Sequence, residues 1–151
     1  MQAFRIADRR HPIFDGTGAR LAGGRWNSPG HPVIYAAETF SGALLEMLVH
    51  SNLNRLPRSH AYVHITIPDD IAIERLAMKD LRGWHHEDEV ASRSFGDRWS
   101  QELRTAVLLV PSSVTWGIEH NVLIHPLHPE FAKIRVSQPQ DVIWDERLFR
   151  R

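Results

Sequence analysis

The order of apolar and polar residues divides the chain into many short strands and two helices. Gln2–Ala7 alternates enough to predict a first strand. Asp8–Gly24 is rich in Gly, Asp and Arg and reads as a loop, and Ser28-Pro29-Gly30 reads as a turn. Pro32–Ala37 is a good short strand. Phe40, Ala43, Leu44, Met47 and Leu48 then recur at three- and four-residue spacing. That period predicts a helix, capped by Thr39 or Ser41 and ending near Asn52 to Asn54. Val63, Ile65 and Ile67 alternate with Tyr62, His64 and Thr66, as in a half-buried strand that Pro68 ends. Ile71–Leu76 is read as another strand, Leu81–Glu89 as irregular and polar, and Phe95–Leu103 as a short helix. The apolar run Ala106–Val110 predicts a buried strand, and Asn121–Ile124 a further one that Pro126 ends. Ile134–Val136 and Val142–Trp144 close the chain as strands.

Strands dominate, and no regular strand–helix–strand alternation runs through them. The pattern predicts an α+β fold: a mixed or antiparallel β core with flanking helices, in one domain over residues 1–151. Composition narrows the partners. Lys plus Arg and Asp plus Glu balance at 18 each, so the chain lacks the charge excess expected of a nucleic-acid or anionic-membrane binder. Cysteine is absent, which removes disulfides, thiolate metal sites and a cysteine nucleophile. The start does not read as a signal peptide, because Asp8, Arg9 and Arg10 follow at once. No apolar stretch approaches the roughly 20 residues of a membrane helix. A cytoplasmic protein is expected.

The candidate chemistry begins at Gly23-Gly24-Arg25-Trp26-Asn27. Two glycines permit close backbone approach. Arg25 offers a rigid fork of donors suited to phosphate or carboxylate, although alone it reads as the surface arginine of a tight turn. Glu46 lies within the apolar stretch Ala43–Leu48, about 100° around the helix from Met47, and so borders the apolar stripe. A carboxylate there must be solvated, paired or used. Tyr35 is read as either a core ring or a pocket wall, and Ser112 as a turn cap or a site residue. The chain has ten histidines, densest at Trp84–Glu89 and at His125-Pro126-Leu127-His128, but neither spacing matches a helical zinc motif, and no metal is expected. No Gly-x-Ser-x-Gly elbow, Walker loop or Gly-x-Gly-x-x-Gly occurs.

These residues also fall into an order. Phe4-Arg5, Asp15-Gly16-Thr17-Gly18-Ala19 and Gly23–Gly30 come first. Ile34-Tyr35-Ala36, Ala43-Leu44-Leu45-Glu46 and Val110-Pro111-Ser112 follow, then Glu119-His120-Asn121, His128-Pro129 and Asp145–Phe149. The set resembles the RES domain, over nearly the whole chain. Two positions differ from it: Ile6 stands where some members carry tyrosine, and His125 where asparagine is frequent.

The resemblance implies an ADP-ribosyltransferase-like fold with a cleft for NAD as substrate. It implies the toxin of a toxin–antitoxin pair, causing growth arrest, with an Xre-type antitoxin as partner and a homodimer. It implies an enzyme that hydrolyses or phosphorolyses NAD or transfers ADP-ribose. Arg5, Arg25, Asn27, Tyr35 and Asn121 are then expected to bind the nucleotide, with Glu46, Arg25, Tyr35 and Ser112 as the catalytic set. Arg5 and Arg25 would hold pyrophosphate or ribose oxygens, and Tyr35 would pack on nicotinamide. Ser112 would bond the nucleotide or hold Glu46. Two rivals remain at this point: an RNA-cleaving toxin and a non-enzymatic NAD-binding module.

Overall fold

A computed structural model describes residues 1–51 and 57–149. Eight strands form one sheet: β1 (Gln2–Asp8), β2 (Ile34–Ala37), β3 (His60–Thr66), β4 (Ile73–Arg75), β5 (Val107–Pro111), β6 (His120–Ile124), β7 (Arg135–Val136) and β8 (Gln140–Asp141). Their order is β4-β5-β6-β2-β1-β3-β7, and β8 also pairs with β3. Among the described residues β4 and β5 run parallel, and the other pairings are antiparallel. Among the described residues three α-helices accompany the sheet: α1 (Thr17–Ala22), α2 (Phe40–His50) and α3 (Val90–Gln101). The α+β class and its largely antiparallel sheet therefore stand as the pattern predicts.

Alternation along the strands builds two apolar faces. Val107 and Leu109 of β5, with Val122 and Ile124 of β6 and Ile34 of β2, face a first core shared with Ala61, Val63 and Ile65 of β3. Leu108, Val110 and Leu123 point the other way and pack on Trp26, Trp84 and Trp99, with Tyr35 against them. Both faces of β5 and β6 are thus removed from water, which is why their sequences are unbroken apolar runs. β3 is buried on alternate residues only, as its pattern predicts.

Helices α2 and α3 lie on the second face, at opposite ends. Phe40 of α2 meets the Phe4 ring edge-on at 5.9 Å, and a Cβ on Gly42 would lie 2.9 Å from Glu119 Oε2. Thr39 caps α2 by accepting the Gly42 N–H at 2.9 Å. The helix runs to His50; the Asn52–Asn54 end lies outside the described residues. α3 carries the buried Trp99 into the second core.

Besides shifts of one or two residues at other strand ends, four elements depart from the sequence pattern. α1 occupies part of the expected loop; it is short, buries no residue and so leaves no apolar period to read. α3 begins five residues early, at Val90, because its first turns bury Ser92 and Gly96 rather than large apolar residues and so show no apolar period. Strand Ile71–Leu76 shrinks to Ile73–Arg75, the stretch paired with β5. The last strand is Gln140–Asp141 rather than Val142–Trp144, set by pairing with Ala61 and Tyr62 and by the Tyr62 hydroxyl donating to Gln140 Oε1 at 2.8 Å.

Candidate active site

Between the two helices the sheet opens. β1 pairs with β3 along its full length, from Gln2↔Thr66 to Asp8↔His60, but meets β2 at the single register pair Phe4↔Ala37. A cavity of about 440 Å³ occupies this split, with Arg5, Arg25, Tyr35, Glu46, His50 and Asn121 among its lining.

Glu46 is fixed from three directions. Its Oε1 accepts Ser112 Oγ–H and Asn121 Nδ2–H, each at 2.8 Å, and its Oε2 lies 3.3 Å from His50 Nε2, one turn on. Its side chain is 18% exposed. Burial alone would raise its pKa, but the bonds from His50, Asn121 and Ser112 outweigh burial and hold it below the usual carboxylate value. The result is an anion at the cavity wall, its charge supported by two neutral donors, Ser112 and Asn121, and by the His50 imidazole. The His50 imidazole is raised in turn, chiefly by its bond to Glu46.

Arg25 sits on a turn that the sequence builds tightly. Gly24 N–H donates to Asn27 O at 2.9 Å, and Gly23 takes φ +73°, which disfavours a side chain. A Cβ on Gly24 would lie 2.7 Å from the Tyr35 hydroxyl oxygen. That hydroxyl accepts Trp26 N–H at 3.0 Å and donates to Asn27 Oδ1 at 2.7 Å. Burial pushes the Tyr35 hydroxyl well above its ordinary pKa, so it remains protonated. The Asn27 amide donates to Ala19 O at 2.8 Å and His31 O at 2.9 Å and is fully buried. Arg25 Nη1 donates to Trp84 O at 3.3 Å and His86 O at 2.9 Å.

Most of the expected site residues meet at the cavity. Arg5, Arg25, Tyr35, Glu46 and Asn121 line it. Arg5 crosses the split, donating Nε to Ile13 O at 2.6 Å and Nη1 to Tyr35 O at 2.7 Å. Burial lowers its pKa and Asp15 opposes this, but a guanidinium stays charged. Ser112 stands behind Glu46, while its neighbour Ser113 reaches the lining. Asn27 lies beneath the turn with its amide committed to the protein, away from the lining.

Sequence reasoning passed over His50, although Glu46–His50 is a readable i,i+4 pair. It also passed over the Trp84–Glu89 segment and Arg93 as neighbours of Arg25. His125 is a core histidine, 2% exposed: Nδ1 accepts Leu127 N–H at 3.3 Å, and Nε2 donates to Ser100 O at 3.0 Å. Burial lowers its pKa and keeps it neutral. Among the described residues no three His, Asp or Glu converge as metal ligands, and no helix is long and apolar enough to cross a membrane.

The RES domain model matches residues 2–145. A protein named Prs ADP-ribosylating toxin from a Sphingobium species is 39% identical over 140 residues, which cover 90% of this chain and 86% of that protein. One named Toxin Res from Pseudomonas putida is 33% identical over 136 residues, covering 89% of this chain and 91% of that one. The crystal structure of the M. tuberculosis MbcT-MbcA toxin-antitoxin complex contains a chain of the same fold. It superposes with TM-score 0.72 at 20% identity, covering 93% of this chain and 83% of that one.

Proposed function

The chain belongs to the RES domain family, and on that premise we propose that it is the toxin of a toxin–antitoxin pair and an enzyme that cleaves the nicotinamide–ribose bond of NAD. The observation that carries the reading is the ionised Glu46, held by three side-chain donors at the cavity wall. The names of the Sphingobium and Pseudomonas relatives support toxin activity, and the former supports ADP-ribose chemistry.

Breaking this bond sends its electron pair to the ring nitrogen, and nicotinamide departs neutral without a proton. The ribose carbon is left with oxocarbenium character, as in glycoside cleavage. The protein must therefore supply negative charge and orientation rather than a general acid. Glu46 accepts a ribose hydroxyl hydrogen and offsets the positive charge. Arg25 and Arg5, at the cavity wall, bind the diphosphate as charge-assisted donors. Tyr35 acts by fixing the Arg25 turn with its hydroxyl and by presenting its ring to the cavity. Asn121 and Ser112 keep Glu46 ionised and aimed. Asn27 supports the turn that carries Arg25. An acceptor oxygen then bonds to the ribose carbon; water or a side-chain hydroxyl loses its proton to solvent, whereas phosphate attacks through an oxygen that carries none. Water, phosphate and a protein side chain each satisfy that step.

The proposal extends to a protein antitoxin of Xre type and to a homodimer. The activity is tested by incubating the purified protein with NAD and identifying products by chromatography, with and without phosphate and candidate protein acceptors. Nicotinamide release is expected, and the second product names the acceptor. NAD left intact under all three conditions removes the enzyme reading; RNA loss beside intact NAD replaces it with ribonuclease activity.

A further inference from the structure

The Arg25 guanidinium has an unequal set of neighbours. Its Nη1 is occupied by the Trp84 and His86 carbonyls, at 3.3 and 2.9 Å. Its Nη2 faces Glu89 Oε1 at 3.7 Å, beyond hydrogen-bond reach. The same carboxylate is gripped on its other oxygen by Arg93, whose Nη2 lies 2.6 Å from Oε2. Arg93 is itself anchored to the turn that bears Arg25, through Nε donating to Gly24 O at 3.3 Å. Two cations thus compete for one carboxylate, and Arg93 holds it.

Glu89 is built for this position. It stands at the N-cap of α3 with φ 57°, in the left-handed region, and its side chain makes no capping bond. A residue that gives up its cap and takes an unfavourable backbone angle is held there by its surroundings. Here its N–H donates to His86 O at 3.2 Å, its carbonyl accepts Ser92 Oγ–H at 3.2 Å, and its carboxylate is held by Arg93. Each of the three side chains is only partly exposed, at 22% for Arg25, 28% for Glu89 and 37% for Arg93, so their attractions are weakly screened.

We infer that Arg93 is a positioning residue that keeps Glu89 off Arg25, leaving the Nη2 edge of Arg25 to the diphosphate of the dinucleotide. The inference rests on the reading of the cavity as a NAD site. Without Arg93, Glu89 closes the remaining gap and neutralises the charge that the diphosphate requires. The effect falls on binding rather than on bond cleavage, because Glu46 is untouched.

The test uses the full chain with Arg93→Ala, Glu89→Gln and the double variant. Three quantities are measured: KM and kcat for nicotinamide release, and the calorimetric Kd of ADP-ribose, which carries the diphosphate but no scissile bond. Arg93→Ala is expected to raise KM and Kd roughly tenfold or more, the scale of a lost hydrogen bond to a charged group, with kcat little changed. Adding Glu89→Gln is expected to return both toward wild type. A double variant weaker than either single variant, or an Arg93→Ala protein that binds ADP-ribose like wild type, overturns the inference. Should Arg93→Ala lose its cooperative melt, Arg93→Lys with and without Glu89→Gln carries the same comparison, because lysine keeps the charge but not the fork. A wild-type protein that neither binds ADP-ribose nor releases nicotinamide overturns the NAD reading itself, and the inference with it.

Discussion

The two ends of the cavity are held by different kinds of atoms. At the Glu46 end, side chains from three places in the fold converge on one carboxylate: Ser112 after β5, Asn121 in β6 and His50 in α2. At the Arg25 end the partners are largely main-chain carbonyls, and the turn itself is fixed by Tyr35 and Asn27 from within. A side-chain network can lose one member and leave the backbone in place. A network of main-chain atoms cannot be altered without moving the chain. Substitutions near Glu46 should therefore change chemistry before stability, and those around the Arg25 turn should change stability before chemistry.

The strongest way to break this contrast is Gly96→Ala. A Cβ there would lie 1.8 Å from the Trp26 carbonyl oxygen, a backbone atom of the Arg25 turn. Alanine gains about 1 kcal/mol of helix propensity over glycine. The clash, at about 3 kcal/mol or more, outweighs it. Thermal or urea unfolding should show a clear net loss of stability; an unchanged midpoint would mean that α3 is free to move off the turn. Glu46→Gln comes next, with an expected rate loss on the order of 10²-fold in nicotinamide release, about 2.7 kcal/mol in the barrier. Its melting temperature should stay near wild type, and a large drop would erase the contrast. Asn27→Ala should cost about 2 kcal/mol of stability, because the His31 carbonyl loses its donor, the Tyr35 hydroxyl loses its acceptor and a fully buried side chain is removed. Any rise in KM should follow that loss rather than precede it.

The smallest effect sharpens the Glu46 end. The bond to Glu46 raises the His50 pKa above 6.5, so the stability it lends is present below 6.5 and fades as pH rises through the raised value. Glu46 is depressed below 4.5, because bonds from His50, Asn121 and Ser112 overcome its burial. Its share is present above 4.5 and is lost as pH falls through the lowered value. His50→Gln should thus destabilise most between those two titrations, from about pH 5 to 6.5, and little at pH 9. The His50 side chain is 75% exposed, so the difference should be about 0.5 kcal/mol. A stability difference that grows above pH 7 would contradict the ion pair.

Much of this was legible in the sequence, for physical reasons that differ by residue. Strands β3, β5 and β6 declare themselves because burial imposes either alternation or an unbroken apolar run. Thr39 is readable because a cap requires an oxygen just before the first turn. Glu46 is readable as an ionisable group inside an apolar stretch. The carbonyls around Arg25 were not, since backbone oxygens carry no sequence signature. α1 was missed for another reason: it buries no residue and so presents no apolar face to read. Asn27 was expected at the nucleotide from the resemblance to the RES domain. Its burial and saturated amide emerge only when Ala19, His31 and Tyr35 close around it.

The single rung between β1 and β2 has a thermodynamic consequence. The cavity interrupts the sheet's own ladder, so the two half-sheets are joined at their weakest seam where a ligand would lie. An occupant of that seam bridges both halves, and its binding energy adds to the cohesion of the fold. By mass action, a ligand at one hundred times its dissociation constant adds about 2.7 kcal/mol to the stability of the bound state. Resistance to heating thus becomes a measure of occupancy, and a melting curve can rank candidate nucleotides and partner segments without any turnover.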